Sequence, residues 1–278
     1  MSATSEATLQ MPGVNLYYQV RGTGPVLLIL QGGDGDAEGT DGIAGLLASH
    51  YTVVTYDRRG LSRSKLADTA ATPKGLEPHV DDARHLLAAL AAEPAFVLGF
   101  SLGALLGLEL VSRHPELIRL LVAHEPPAMQ FLPEAERAQA NRDHDEVEAA
   151  YRSGGVGAAM RLFVAKAGLD FANREEGVEL PRPKPDRVAN LEFFLAHDVP
   201  AVRRHELDLK LLLASPTRIV PAGGQTSRQF VAYRCAEALA NRLGSTVTEF
   251  PGGHNGFVTH PMAFTERLRG ILSQEAAV

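Results

Sequence analysis

The first half of the chain alternates short apolar runs with amphipathic stretches. Continuous apolar runs of strand length are typical of strands buried on both faces of a sheet. The predicted strands are residues 14–20, 26–30, 51–56, 95–100 and 119–124. Between them, apolar side chains three and four positions apart predict helices at about residues 41–50, 78–92 and 102–113. This alternation predicts an α/β protein with a mostly parallel, doubly wound sheet.

The middle of the chain has a different pattern. Residues 126–206 show helical periodicity and no convincing strand, with predicted helices at residues 133–151, 155–167 and 185–197. The alternation then resumes, with predicted strands at residues 217–220 and 246–250 and predicted helices at residues 227–243 and 261–273. We therefore predict one core formed by residues 1–125 and 207–278, with a helical cap of residues 126–206 inserted into it.

Composition narrows the functional classes. Hydrophobic residues make up 45% and charged residues 22% of the 278 positions, which is ordinary for a globular protein. The net charge of −6 disfavours nucleic acid and membrane as partners, because both attract clustered Lys and Arg. The single cysteine, Cys235, allows no internal disulfide. With no secretory signal in the sequence, we expect a cytoplasmic protein, monomeric or homodimeric, that acts on a small-molecule substrate.

One short segment indicates a catalytic nucleophile. The sequence Gly99-Phe100-Ser101-Leu102-Gly103 joins a predicted strand to a predicted helix. In that context the pattern G-x-S-x-G forms a sharp turn that exposes the serine hydroxyl at a helix N-terminus. The backbone N–H groups and the helix dipole favour developing negative charge there. The alternative is a serine in an ordinary strand–helix turn.

Other segments follow in the order typical of one family. Leu30-Gln31-Gly32-Gly33 resembles an oxyanion loop, the segment from Tyr56 to Ser64 resembles D-x-R-G-x-G-x-S, and Arg113-His114-Pro115-Glu116 resembles R-x-P-E. With the serine motif, these segments make the chain resemble the α/β-hydrolase-fold superfamily over nearly its whole length. The resemblance implies an α/β-hydrolase fold in which the helical cap follows the sixth strand. It implies a serine hydrolase but no particular substrate.

A general base for Ser101 should lie in a loop late in the chain. His254 stands in a glycine-rich segment just after the last predicted strand, and glycines on both sides allow that loop to bend. His254 also matches the position of the catalytic histidine in the family. The nearest rival is His260, which precedes Pro261 and is expected to cap the last helix.

The acidic partner departs from the common family pattern. Most relatives carry Asp after the seventh strand, but no carboxylate occurs from Leu209 to Ala236 in this chain. Some relatives, certain haloalkane dehalogenases among them, carry Glu at the end of the sixth strand instead. Glu125 stands there and keeps the chain order Ser, acid, His. The alternative is a hinge residue that binds loop amides. Thr226 is then a candidate for the vacant position after the seventh strand, and His124 is left unassigned.

The oxyanion hole and the substrate pocket are also predicted from the resemblance. The backbone N–H groups of Leu102 and Gly33 would stabilise the oxyanion. Tentative substrate-binding residues are Gln31, Asp34, Phe100, Met129, Phe131, Phe163, Phe193 and Phe194. For the residues of the cap, the alternative is ordinary packing between helices, and for Asp34 it is a turn.

These observations predict a serine hydrolase that cleaves a small ester, lactone or related acyl compound through an acyl-enzyme. Ser101 would attack, His254 would transfer the proton and Glu125 would orient His254. We expect no cofactor and no metal, because the sequence contains neither a nucleotide fingerprint nor a set of metal ligands. A small-molecule receptor on the same fold stays open as a non-enzymatic alternative. Two enzymatic alternatives also stay open. One is a C–C hydrolase or perhydrolase, and the other is a non-hydrolytic, cofactor-free cyclase, lyase or oxygenase.

Overall fold

The protein is built around one eight-stranded sheet. The computed structural model describes residues 4–33, 35–182 and 184–276. The strands are β1 (Thr4–Met11), β2 (Val14–Arg21), β3 (Val26–Leu30), β4 (Thr52–Tyr56), β5 (Ala95–Phe100), β6 (Ile118–His124), β7 (Arg218–Gly224) and β8 (Thr248–Phe250). Their spatial order is β1-β2-β4-β3-β5-β6-β7-β8, and only β1 with β2 and β2 with β4 pair antiparallel among these strands. The predicted mostly parallel sheet is therefore confirmed.

Helices connect the strands and cover the sheet. They are α1 (Asp41–Leu47), α2 (Glu77–Leu90), α3 (Leu102–Arg113), α4 (Glu134–Ala167), α5 (Arg187–Phe193), α6 (Val199–Arg204), α7 (Leu209–Ala214), α8 (Val231–Arg242), α9 (Gly256–Thr259) and α10 (Pro261–Ala276). Short 3₁₀ segments lie at Ala37–Thr40, Thr69–Ala71, Pro115–Leu117 and Met129–Phe131, and a π-helical segment lies at Phe194–Asp198.

The central strand β5 shows why both faces of the sheet need helices. All six of its residues are buried. Val97 belongs to a hydrophobic cluster that includes Leu105 of α3, whereas Phe96 and Leu98 belong to a second cluster that includes Ile43 of α1. Since successive side chains of a strand point to opposite faces, an apolar strand of this kind is stable only between two helical layers. The doubly wound architecture follows from that requirement.

The structure corrects the sequence-based elements at several places, and it adds the short helices α6 and α9. The edge strand β1 was not predicted, because most of its residues are exposed and its apolar alternation is confined to Ala7, Leu9 and Met11. It pairs with β2 through a turn at Gly13, whose φ of 78° suits glycine. Strand β7 continues to Gly224, four residues beyond the predicted end. Helix α7 precedes it and was also not predicted.

The segment between β6 and β7 is helical. We call residues 126–206 the helical insert; it contains α4, α5, the π-helical segment and α6. Helix α4 is interrupted at Gly155, where φ is 69° and ψ is −169°. Lys166 near its end contacts Asp143 near its start, with 2.5 Å between Nζ and Oδ1. The two halves of α4 therefore fold back on each other.

A buried ion pair attaches the helical insert to the core. Arg58 follows β4, and its Nη2 donates to Asp198 Oδ2 at 2.8 Å. Both side chains are almost fully buried. The same Arg58 nitrogen donates to the Gly33 carbonyl oxygen at 2.9 Å. One arginine thus joins the helical insert to the loop that follows β3.

Candidate active site

Ser101 lies in a tight turn between β5 and α3. Its φ of 51° and ψ of −119° are unusual for a residue with a side chain. The turn is possible because Gly99 and Gly103 have no side chain. A Cβ at Gly99 would lie 2.5 Å from the Cα of Ala104, and a Cβ at Gly103 would lie 2.0 Å from the Leu30 oxygen. The Ser101 N–H donates to the His124 carbonyl oxygen at 2.9 Å. These contacts hold the serine at the carboxyl end of β5.

His254 and Glu125 come together at the same edge of the sheet. His254 lies in the loop after β8, and its Nδ1 is 2.5 Å from Oε2 of Glu125. Glu125 is the first residue after β6 and has a φ of 51°. Its N–H donates to the Ala222 oxygen of β7 at 2.9 Å. When the Nδ1–H of a neutral His254 ring donates to the carboxylate, Nε2 is the nitrogen that can accept a proton.

The environment of Glu125 stabilises its charged form. Burial by itself favours the neutral acid, but the hydrogen bond from His254 and the charge interaction with that ring outweigh it and lower the pKa of Glu125 to about 2. Its Oε1 accepts from the Gly224 N–H at 2.8 Å and from the Ser227 hydroxyl. The carboxylate is therefore ionised at neutral pH and has its oxygens fixed.

Ser227 is a residue that the sequence reasoning missed. It follows β7, is fully buried and donates to Glu125 Oε1, whereas the neighbouring Thr226 is exposed. Ser227, and not Thr226, is thus the side chain of this loop that contacts the acid. The sequence does carry one indirect signal for this contact, because no carboxylate follows β7. A small hydroxyl at that place leaves room for the side chain of Glu125, which comes from the end of β6.

The two residues predicted for the oxyanion hole lie beside Ser101. Leu102 is the first residue of α3, where a backbone N–H has no acceptor within its own helix. The loop of Gly33 is close, because a Cβ at the adjacent Gly32 would lie 3.7 Å from the Ser101 Cβ. Arg58 stabilises that loop, because its guanidinium donates a hydrogen bond to the Gly33 carbonyl oxygen. The Gly33 N–H stays the predicted second donor.

Ser101 and His254 open into a common cavity of about 90 Å³, which has room for several waters. Its walls are mainly apolar, and its polar residues other than Ser101 and His254 come from α4. Besides Ser101 and His254, the lining residues are Pro127, Met129, Ala140, Asp143, His144, Val147, Phe163, Lys166, Ala167, Val231 and Ala232. Among the tentative substrate-binding residues, Met129 and Phe163 line this cavity.

Three other tentative substrate-binding residues lie in packed positions. Gln31 is 4% exposed and its side-chain amide donates to the Thr40 hydroxyl at 2.7 Å. Phe100 is 1% exposed and stacks on Phe257 in the core, with 4.0 Å between ring centroids. Phe131 is buried beneath Arg242. The tentative assignments of these three side chains to the pocket are corrected to roles in packing.

Of the last three candidate substrate-binding residues, two lie at the interface between the insert and the core, and one lies outside the described residues. Phe193 packs against Gly60, where a Cβ would lie 2.6 Å from its ring. The ring of Phe194 would lie 3.0 Å from a Cβ at Gly33, and it also packs edge-on against Phe163. Both rings pack between the helical insert and loops of the core. Asp34 lies outside the described residues.

His124 is a buried titratable group next to the site. It is fully buried among Phe100, Phe250 and Phe264. Neither of its ring nitrogens has a hydrogen-bond partner among the described residues. Burial is the largest of the effects that lower the pKa of His124, to about 4. The ring is therefore neutral at physiological pH.

In the described parts of the chain, no group of three or more His, Cys, Asp or Glu side chains is arranged to hold a metal ion. Likewise, none of the helices in residues 4–33, 35–182 and 184–276 combines the length and the apolar character needed to cross a bilayer.

Comparison with known proteins defines the class. The alpha/beta hydrolase fold family matches residues 25–261, and the chain belongs to this family. It is 39% identical to the uncharacterized hydrolase YraK of Bacillus subtilis (strain 168), over 98% of this chain and 97% of that protein. It is 30% identical to RutD of Caulobacter sp. (strain K31), provisionally named a carbamate hydrolase, over 83% of this chain and 84% of that protein.

A solved structure has the same fold. A hydrolase from Pseudomonas aeruginosa PA01 superposes with a TM-score of 0.73 at 23% identity, covering 96% of this chain and 98% of that one. The protein is therefore an enzyme of the α/β hydrolase class.

Proposed function

We propose that the protein is a serine hydrolase that cleaves a small ester, lactone or related acyl compound through an acyl-enzyme. One observation carries the proposal. His254 Nδ1 lies 2.5 Å from the buried Glu125 carboxylate, while His254 and Ser101 line the same cavity. A nucleophile, a base and a group that orients the base are the parts that acyl transfer needs.

The first half-reaction forms the acyl-enzyme. Ser101 Oγ attacks the substrate carbonyl carbon and transfers its proton to Nε2 of His254. The carbonyl oxygen becomes an oxyanion, which accepts hydrogen bonds from the N–H groups of Leu102 and Gly33. When the tetrahedral intermediate collapses, its bond to the leaving oxygen breaks and His254 returns the proton to that oxygen.

The second half-reaction regenerates the enzyme. A water molecule attacks the acyl carbon and gives a proton to His254. A second tetrahedral intermediate then collapses, Ser101 Oγ leaves, and His254 protonates it. The charged Glu125 stabilises the imidazolium in both halves, because its low pKa keeps it ionised throughout. The acyl group leaves as a carboxylic acid, or as a carbamic acid if the substrate is a carbamate like the one for which RutD is named.

A fluorophosphonate probe tests this proposal, because it reacts only with an activated serine. We expect stoichiometric labelling of Ser101, none in Ser101→Ala and much slower labelling in His254→Ala. His50→Ala is the control, since His50 is exposed, and should label like the wild type. Failure of a folded wild type to label would contradict the proposal and favour a non-hydrolytic enzyme or a small-molecule receptor.

A substrate panel then separates the bond types. Short esters, lactones, carbamates, thioesters and amides should be compared at equal concentration. Esters and lactones are expected to react faster than carbamates and amides, because their carbonyl carbon is more electrophilic and an oxygen leaving group needs less assistance than a nitrogen one. Labelling of Ser101 without turnover of any panel member would separate a serine enzyme of other chemistry, such as a C–C hydrolase or perhydrolase, from the proposed esterase or lactonase.

A further inference from the structure

One side of the catalytic cavity carries polar groups with no role in acyl transfer. Asp143, His144 and Lys166 line it, and we call these three residues the polar corner. Asp143 and His144 come from the first half of α4 and Lys166 comes from the second half. The fold-back of α4 at Gly155 brings them together. The rest of the wall beyond Ser101 and His254 is apolar.

The charges of the polar corner are already paired. Lys166 Nζ lies 2.5 Å from Asp143 Oδ1 and 2.8 Å from Glu146 Oε2. The hydrogen bonds to Asp143 and Glu146 raise the pKa of Lys166, so the ammonium is charged. Two carboxylates exceed one ammonium, which disfavours an anionic ligand. A cationic ligand would have to displace the Lys166 ammonium from these two carboxylates. Among the described residues, Lys166 Nζ has only these two carboxylate partners, so its third N–H can donate to a neutral acceptor.

His144 supplies a second hydrogen-bonding group. Its Nδ1 is buried and has no hydrogen-bond partner among the described residues. Burial lowers the pKa of His144, and the positive charge of Arg203 lowers it further. The neutral ring keeps one donor and one acceptor nitrogen. His144 lines the cavity of Ser101 and also a second cavity beside Arg203. Its Nδ1 is enclosed by protein, so Nε2, which has no hydrogen-bond partner among the described residues, is the ring nitrogen left for a ligand.

We propose that the polar corner binds a neutral oxygen of the substrate, a ketone or hydroxyl group carried on the acyl chain several bonds beyond the scissile carbonyl. The apolar wall, which includes Met129, Val147 and Phe163, contacts the carbon chain between the two groups. The acyl part is the one that stays on Ser101 through both half-reactions, so contacts to it act in each step. This inference rests on the proposed function.

Four p-nitrophenyl esters of one chain length test the inference. They carry hexanoyl, 5-oxohexanoyl, 5-carboxypentanoyl and 6-aminohexanoyl groups, so that only the terminal polarity differs. The wild type should show kcat/KM for the 5-oxohexanoyl ester about tenfold above that for the hexanoyl ester, the gain expected of one neutral hydrogen bond. Both charged esters should fall below the hexanoyl ester. Equal rates, or preference for either charged ester, would overturn the inference.

Variants connect the preference to the polar corner. His144→Phe and Lys166→Met should each bring the ratio between the 5-oxohexanoyl and hexanoyl esters close to one, and His144→Gln should restore part of it. Arg152→Met is the matched control, because Arg152 is an exposed residue of α4 whose ion pair is with Glu148. If Lys166 only joins the halves of α4, Lys166→Met slows both esters equally and leaves the ratio unchanged, which would contradict the proposal.

A binding experiment separates this inference from the proposed function. The Ser101→Ala variant cannot form an acyl-enzyme, yet it retains the polar corner. It should bind 5-oxohexanamide about tenfold more tightly than hexanamide in titration calorimetry, and His144→Phe in the same background should abolish the difference. If the wild type turns over no ester while Ser101→Ala still binds 5-oxohexanamide more tightly than hexanamide, only the proposed chemistry is refuted. Turnover with no difference in either assay would refute the polar corner alone.

Discussion

At the scale of single residues, Glu125 explains how the acid can come from β6. Its positive φ and its backbone hydrogen bond to Ala222 turn the chain towards β7. The side chain then reaches the end of β7, where the Gly224 N–H and the Ser227 hydroxyl donate to it. Three donors on one buried carboxylate hold it ionised and aligned with His254.

Replacing Glu125 with Gln tests the charge of this group. The side chain keeps its shape but cannot stabilise an imidazolium, and in a comparable triad such a change costs about 10⁴ in kcat. We expect steady-state assays of Glu125→Gln to show a fall in kcat of about 10²–10⁴. Asp208→Asn is the control, because Asp208 caps α7 and asparagine caps equally well. Unchanged kcat in Glu125→Gln would remove Glu125 from the mechanism.

The carboxylate can also be moved between strands. In the Glu125→Gln background, Ser227→Asp places a carboxylate where the buried hydroxyl now contacts residue 125, and we expect it to recover kcat at least about tenfold. Thr226→Asp in the same background should recover nothing, because Thr226 is exposed. Equal recovery by both variants would mean that general electrostatics, and not alignment with His254, restores the rate.

His124 predicts a pH dependence of stability. Its folded pKa of about 4 lies below the ordinary value of 6.5, so between these values the unfolded chain binds a proton that the folded chain does not. Its contribution is complete above pH 6.5 and is lost as the pH falls towards 4. At about 1.4 kcal/mol per pH unit, the loss reaches about 3 kcal/mol.

Urea unfolding at several pH values measures this effect. The free energy of unfolding of His124→Leu should fall less steeply than that of the wild type between pH 6.5 and 4. His50→Leu, at an exposed site, should follow the wild-type slope. Parallel curves for His124→Leu and the wild type would show that His124 titrates alike in the folded and unfolded protein.

At the scale of elements, the π-helical segment connects the helical insert to the loop beside Ser101. Asp198 in that segment binds Arg58, which also holds the Gly33 carbonyl oxygen. Phe194 of the same segment covers Gly33. Docking of this segment therefore supports Phe163 in the cavity wall, through Phe194, and the loop that would complete the oxyanion hole.

Breaking the buried ion pair should destabilise the protein strongly. Asp198→Ala leaves the buried Arg58 charge without its partner, which typically costs about 3–5 kcal/mol. Asp145→Ala is the matched control in the same insert, because Asp145 is exposed and its pair with Arg203 is worth at most about 1 kcal/mol. Urea unfolding measures both. Equal losses would show that burial of the Arg58–Asp198 pair has no energetic consequence.

At the scale of the whole molecule, strand order assembles the site. The chain passes from β3 outward to β4 and then returns to place β5 on the other side of β3. Ligands of such sheets bind at the carboxyl ends of the strands where the order reverses. Gly33 follows β3 and Ser101 follows β5, so both stand at this point. Glu125 and His254 follow β6 and β8 at the same edge.

This arrangement explains what the sequence predicts and what it does not. Ser101, Glu125 and His254 follow predicted strands, and parallel strands bring their carboxyl ends together whatever the details of packing. The contacts of Ser227 with Glu125 and of Asp198 with Arg58 join residues 102 and 140 positions apart in the chain. No local pattern records such contacts. For the same reason, the side chains that line the cavity could not be told from those that pack beneath it.

The most direct test of the central claim is to observe the acyl-enzyme itself. Rapid acid quenching of the wild type mixed with excess p-nitrophenyl acetate, followed by intact-protein mass spectrometry, should show one added acetyl group, located on Ser101 by peptide mapping. Ser101→Ala should show none, and Glu125→Gln should accumulate the adduct more slowly. Turnover of the ester with no adduct at any quench time, or an adduct on another residue, would contradict nucleophilic catalysis by Ser101.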